Sequence, residues 1–134
     1  MKDFVSLLVE KALTSQDNTR EIYKNIWGCD NKYPRQFKPL KFGGEIELSI
    51  QASFLHKCEP RLTIGKDKYI TFELGILKNG NLVRIDKILR LDSSERLLFE
   101  PFEDCDMRVY CNIPKLNITY LCNLLEEEYG YEGE

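Results

Sequence analysis

The stretch YITFELGILKNGNLVRIDKILRLD, residues 69–92, decides the reading of the fold, because two β-favouring runs meet at Asn79-Gly80. That dipeptide suits the positive-φ positions of a tight hairpin turn. With Lys78 facing Asn81, Ile76 faces Val83, Leu74 faces Ile85 and Ile70 faces Leu89, so one side of the ribbon is apolar along nearly its whole length. That side is expected to pack on a core. The same register sets Glu73 against Asp86 on the other side, a like-charge pair that costs on the order of a few tenths of a kcal/mol. Lys87 falls on the apolar side opposite Phe72 and is expected to snorkel outward.

Outward from the hairpin, Gly43-Gly44 opens a strand in which Ile46, Leu48, Ile50, Ala52 and Phe54 alternate with Glu45, Glu47, Ser49, Gln51 and Ser53. This is the cleanest period-two pattern in the chain. Leu62 and Ile64 suggest a short strand after Pro60. Arg96 to Phe102 reads as an edge strand or a loop, because Pro101 has no N–H to give a ladder. Met107, Val109, Cys111 and Ile113 alternate with Arg108, Tyr110 and Asn112, predicting a last strand with Tyr110 on the outer face.

Helices are expected at both ends, within 1–28 and over 116–129. Phe4, Leu7, Leu8 and Ala12 form one helical stripe over residues 3–13, and Asp3 suits the positive end of a helix dipole. The polar stretch Thr14 to Asn18 supplies caps for a second helix over about 19–27, with Ile22, Tyr23, Ile26 and Trp27 apolar and Gly28 as its stop. Near the C-terminus, Leu121, Cys122, Leu124, Leu125 and Tyr129 face the core and Gly130 ends the helix, leaving 131–134 as a frayed tail. Between the N-terminal helices and the sheet, residues 29–42 hold Pro34 and Pro39 and predict an extended surface connection. Lys32, Arg35, Lys38 and Lys41 interleave there with Tyr33, Phe37 and Phe42, a pattern that can grip single-stranded nucleic acid. The plainer reading, aromatics pinning a loop to the domain, is preferred because these charges are few.

The expected architecture is therefore a single α+β domain over 1–134. An antiparallel, meander-like sheet of four to five strands over 43–113 is covered on one face by the N-terminal and C-terminal helices. Its 134 residues suffice for one core without metals or disulfides. No apolar run approaches the roughly 20 residues of a membrane span. Five scattered cysteines, with no CxxC pair, fit a reducing compartment, so a cytoplasmic location is expected.

Charge is uneven. Residues 1–67 carry 11 Lys+Arg and 9 Asp+Glu, whereas residues 68–134 carry 8 and 13, so a half of net +2 precedes a half of net −5. That balance disfavours direct nucleic-acid binding, which needs a basic face, and suits an acidic surface offered to a basic partner.

Chemistry-bearing motifs are sparse. His56 and Cys58, two apart, share one side of an extended segment, but they fall in a turn before Pro60 and not in a nucleophile motif. Zinc would need two more ligands from cysteines that show no ligand spacing. The chain has no Gly-rich phosphate loop, nucleophile elbow, HExxH or dinucleotide fingerprint. No catalytic residue, metal ligand or cofactor is assigned. Glu45, Glu47, Glu73 and Asp86 remain, all expected on the face opposite the core.

The function expected from these residues is that of a non-catalytic acidic module that binds another protein with a basic surface. An inhibitor or immunity-type protein that neutralises a basic, nucleic-acid-directed protein is the specific form, with Glu45, Glu47, Glu73, Asp86 and Tyr110 as its contacts. Two alternatives stand beside it. One is a homodimeric adaptor or chaperone-like protein using Leu77, Leu82, Ile88 and Tyr110. The other is a hydrolase holding a metal on the acidic face. The sequence does not choose between the acidic face and the Lys32–Lys41 segment as the contact surface.

Overall fold

The fold is that of a computed structural model describing residues 1–11, 16–104 and 108–133, with 16–19 described by backbone alone. Ala12, Thr14 and Met107, named above, lie outside the described residues, as do Ser15 of the capping stretch and Cys105, one of the five cysteines. Among the described residues seven strands, β1 (Leu40–Phe42), β2 (Ile46–Gln51), β3 (Thr71–Lys78), β4 (Asn81–Leu82), β5 (Glu103–Asp104), β6 (Val109–Pro114) and β7 (Tyr131–Gly133), form one antiparallel sheet. Among the described residues three α-helices accompany it: α1 (Gln16–Trp27), α2 (Ser93–Arg96) and α3 (Lys115–Tyr129). The class is α+β.

Along the sheet the order is β5-β6-β3-β2-β1-β7, with the short β4 on β3. The predicted meander holds from β1 through β2 and β3 to the short β4. Helix α3 then carries the chain from β6 to β7 on the far edge. Residues 131–133, expected to fray, therefore close the sheet. Their hold is specific: the Glu132 carboxylate accepts the Gly44 N–H at 2.7 Å, and the Tyr131 ring meets Phe4 edge-on at 5.1 Å and Phe42 at 5.4 Å. Gly43 makes the close approach of turn and helix possible, with φ 60° and space beside Tyr129 for no side chain, since a Cβ would sit 2.9 Å from that residue's Cβ.

In the centre, period two works as the sequence predicts. Leu48 pairs with Ile76 and Ile50 with Leu74, all four fully buried, while Glu47, Ser49 and Gln51 face the other way. Each such aliphatic side chain contributes roughly 1.5–3 kcal/mol by leaving water. The turn pairs Lys78 with Asn81 and Leu77 with Leu82, and the Val83 N–H still reaches the Ile76 carbonyl. There the predicted hairpin ends. Ile85–Lys87 is a 3-10 turn, and Tyr110 of β6 takes the place opposite Leu74 that Ile85 was expected to fill. Asp86 consequently does not face Glu73. The residues themselves explain the exit, because Ile85 and Ile88 are buried at a spacing of three while Lys87 and Asp86 are exposed. That is a 3-10 period, not a strand period.

Strand β6 departs from expectation in phase. Tyr110 and Ile113 are buried, whereas Cys111 and Asn112 lie between them as an irregularity opposite Phe72 to Leu74, with Asn112 at φ 52°. An extra residue of this kind reverses which residues point inward. Tyr110 thus belongs to the core, not to the outer face.

Helix α3 forms close to its predicted bounds, with Leu121, Cys122 and Leu125 buried and Gly130 following at φ 81°, but Tyr129, expected to face the core, is exposed. The N-terminus is not the helix predicted for it. Residues 5–7 form only a 3-10 turn, the chain then extends, and Glu10 bridges to Phe37. Lys66 Nζ binds the Ser6 and Leu8 carbonyls at 2.7 and 2.8 Å, groups that a continuing helix would have used internally. Helix α1 likewise fails to cover the sheet, for Ile22, Ile26 and Trp27 are 55%, 66% and 49% exposed. Its moorings are the bidentate Arg20–Asp30 pair and the Trp27 ring against Phe54. The inner face is covered instead by α3, by Phe4, Val5 and Leu8, and by Ile85, Ile88, Leu91 and Phe99 of the segment after β4. Among the described residues no helix is long and apolar enough to cross a membrane.

Candidate functional site

The outer face of the β2–β3 pair is scooped out at its middle because Ser49 lies opposite Gly75. Gly75 has no side chain to fill the space between Ser49, Leu82 and Val109, whose atoms would lie 3.4 to 3.9 Å from an added Cβ. The resulting groove holds about 410 Å³. Phe37 and Pro39 line it on the β2 side, Leu82 and Val109 on the β3 side, and Glu47 and Glu73 near its two ends. Glu47 is opposite Leu77, four residues from Glu73, which sets the carboxylates about 13 Å apart along the strand at about 3.3 Å per residue.

Both flanks are fixed by hydrogen bonds. On one, the Gln51 amide accepts from the Phe37 N–H at 2.7 Å and donates to its carbonyl at 2.9 Å, holding Phe37 where a neighbouring strand would stand. At the other, Glu73 Oε2 accepts the Lys57 N–H at 3.2 Å, and Lys57 Nζ pairs with Asp104 at 2.6 Å. The hydrogen bond to Asp104 holds the Lys57 ammonium above its ordinary pKa. Burial lowers the His56 pKa at this end of the groove, with the Glu73 charge opposing it.

The five residues expected to form one contact surface are dispersed. Glu47 and Glu73 share the groove, Glu45 is exposed in the β1–β2 turn, Asp86 lies in a different cleft, and Tyr110 is 2% exposed. The Tyr110 hydroxyl accepts the Ile85 N–H at 3.1 Å and donates to Glu103 at 3.4 Å. Burial is the main cause that pushes its pKa up to about 12. The apolar dimer patch is dispersed as well, since Ile88 and Tyr110 are buried and only Leu77 and Leu82 line the groove. Among the described residues no group of three or more His, Cys, Asp or Glu is placed to hold a metal ion.

His56 and Cys58 do not form a dyad. His56 Nδ1 shares a 2.7 Å hydrogen bond with Ser53 Oγ, which also accepts the Leu55 N–H and is part of a fully buried residue. The Cys58 thiol donates to the Ser53 and Pro60 carbonyls, and burial raises its pKa. Nor is the basic, aromatic segment 32–41 one exposed strip. Arg35 is 5% exposed, donates to the carbonyls of Ile64 and Ala52 and to the Tyr69 hydroxyl, and stacks on Phe37 at 4.5 Å.

Sequence reasoning missed the groove itself. Its one signal was Gly75, a glycine inside a strand pattern, which marks a bulge or a close approach. Compared with known protein families, curated proteins and solved structures, the chain matches none.

Proposed function

We propose that this protein is an acidic protein-binding module that takes an extended, basic segment of another protein into the groove over Gly75. The observation that carries the reading is the groove's construction: carboxylates near both ends and a small or apolar stretch at Ser49, Gly75, Leu77, Leu82 and Val109 between them, beside the polar Gln36, Gln51 and His56 and one lysine, Lys11. An extended chain rises about 3.3 Å per residue, so lysine or arginine side chains four positions apart match Glu47 and Glu73. The residues between them meet Gly75, Leu77, Leu82 and Val109. Such charge complementarity chiefly speeds encounter and selects the partner. A basic, nucleic-acid-directed protein has the right sign of charge, and covering its basic surface would inhibit it.

The test is an NMR titration with a synthetic pentapeptide carrying lysine at both ends and three apolar residues between. Amide shifts confined to 47–51 and 73–77, weakening as salt rises and lost in Glu47→Lys/Glu73→Lys, are expected. A peptide that shifts nothing in the groove, or binds the reversed protein equally well, overturns the reading.

A further inference from the structure

We infer a second binding site, for a small molecule that carries both phosphate and hydroxyl groups, in the cleft where Asp86 lies. The cleft holds about 640 Å³ between residues 84–91 and the Arg96–Glu103 segment, within the range of small-molecule sites. Its form follows from the turn after β4. Side chains three apart eclipse in a 3-10 turn, so the spacing that buries Ile85 and Ile88 about the Ile85–Lys87 turn leaves Arg84 and Lys87 exposed at the cleft, with Arg90 exposed beyond the turn's end. Arg96 adds a third guanidinium from α2.

Among the described residues none of Arg84, Lys87, Arg90 and Arg96 makes an ion pair or a side-chain hydrogen bond, although Asp86, Glu100 and Glu103 line the same cleft. The structure thus holds both signs of charge in one concavity without letting them neutralise each other. Guanidinium groups present planar forks of donors that match phosphate oxygens two at a time. Ionised carboxylates only accept hydrogen bonds, and a ligand satisfies them with hydroxyl groups. A bare anion would satisfy the arginines and be repelled by the acids. A phosphorylated polyol, either a nucleotide or a sugar phosphate, satisfies both. No Gly-rich loop is involved, which is why phosphate-loop motifs were silent.

This site shares no residue with the Gly75 groove, so either can fail alone. The test is an NMR titration of the intact protein with adenosine diphosphate, ribose 5-phosphate and inorganic sulfate as probes. Shifts confined to 84–91 and 96–103, given by the two phosphorylated polyols and far more weakly by sulfate, are expected. Arg84→Gln/Arg90→Gln should weaken binding by about tenfold or more. Both residues are exposed, and an unchanged thermal midpoint would show that the fold survives; Arg96→Gln, on the opposite wall, gives a second check. Binding of adenosine diphosphate alone identifies a nucleotide, and equal binding of both identifies the sugar phosphate portion as sufficient. No shift at millimolar probe, shifts that survive the substitutions, or sulfate binding as well as either polyol overturns the inference.

Discussion

Strand β3 and the segment that follows β4, residues 83–102, are both rich in aliphatic side chains, yet they are held in opposite ways. Strand β3 is flanked by β2 and β6 and is fixed by main-chain ladders. Past the Val83 N–H, which still bonds the Ile76 carbonyl, the main chain of residues 84–102 makes only short-range turns among the described residues and is tethered by side chains from β6 and α3. Tyr110 accepts the Ile85 N–H, Asn117 Nδ2 donates to the Leu98 carbonyl at 2.8 Å, Tyr120 donates to Glu95 at 2.7 Å, and Tyr129 donates to the Ile88 carbonyl. A ladder uses groups that every residue has, so pattern alone dictates it. A tether uses one named side chain, so a single substitution releases it. Two kinds of surface result, a regular face with one groove and an irregular cleft walled by charged side chains.

The comparison breaks most severely at the ladder. Leu74→Ala should lower global stability by about 2–5 kcal/mol, read as a shifted urea midpoint with every probe reporting together. A smaller effect sharpens the contrast at the tether. Tyr110→Phe leaves the Ile85 N–H without its partner and should cost about 1–3 kcal/mol. Amide exchange should quicken at 84–91 more than in β3, and equal quickening in both would dissolve the distinction.

Tyr110 also has an alkaline signature. Its folded pKa, about 12, lies above the ordinary 10.0, so its contribution is fully present below about pH 10 and is lost as pH rises through 12. That part of the alkaline loss of stability should vanish in Tyr110→Phe.

A local cap comes next. Asp92 accepts the Glu95 N–H at 2.8 Å while Glu95 accepts the Asp92 N–H, a reciprocal capping box at α2. Asp92→Ala should cost about 1 kcal/mol, with the exchange change confined to 92–98.

The smallest effect concerns His56 beside the groove. Its folded pKa lies below the ordinary 6.5 because of burial, so the unfolded chain binds the proton more readily. The stability that this contributes is complete above about pH 6.5 and is lost as pH falls through the lowered value. Urea midpoints measured from neutral to mildly acid pH should show that slope in the native protein and not in His56→Gln.

What the sequence by itself determined was local. Asn79-Gly80 set the turn and the first two pairs of its hairpin, alternation set which side of β2 is buried, and the Leu121–Leu125 spacing with Gly130 set α3 and its end. Each rests on chain geometry repeated within a few residues. Part of the candidate site was legible for the same reason, since alternation placed Glu47 and Glu73 on the outer face, whereas the groove over Gly75 was missed. Lys87 and Ile88, out of phase with the predicted hairpin, were the signal that the strand had ended.

Only the tertiary structure decided the rest. It gave the position opposite Leu74 to Tyr110 instead of Ile85, it joined β7 to β1, it drew Arg35 into the interior against Tyr69, and it moved Asp86 to a separate cleft. It also left the apolar residues of α1 exposed, although their spacing is as helical as that of α3. In each case the deciding bond or contact joins residues far apart in the chain, so its energy depends on which other segments arrive there. A local pattern carries no record of that competition.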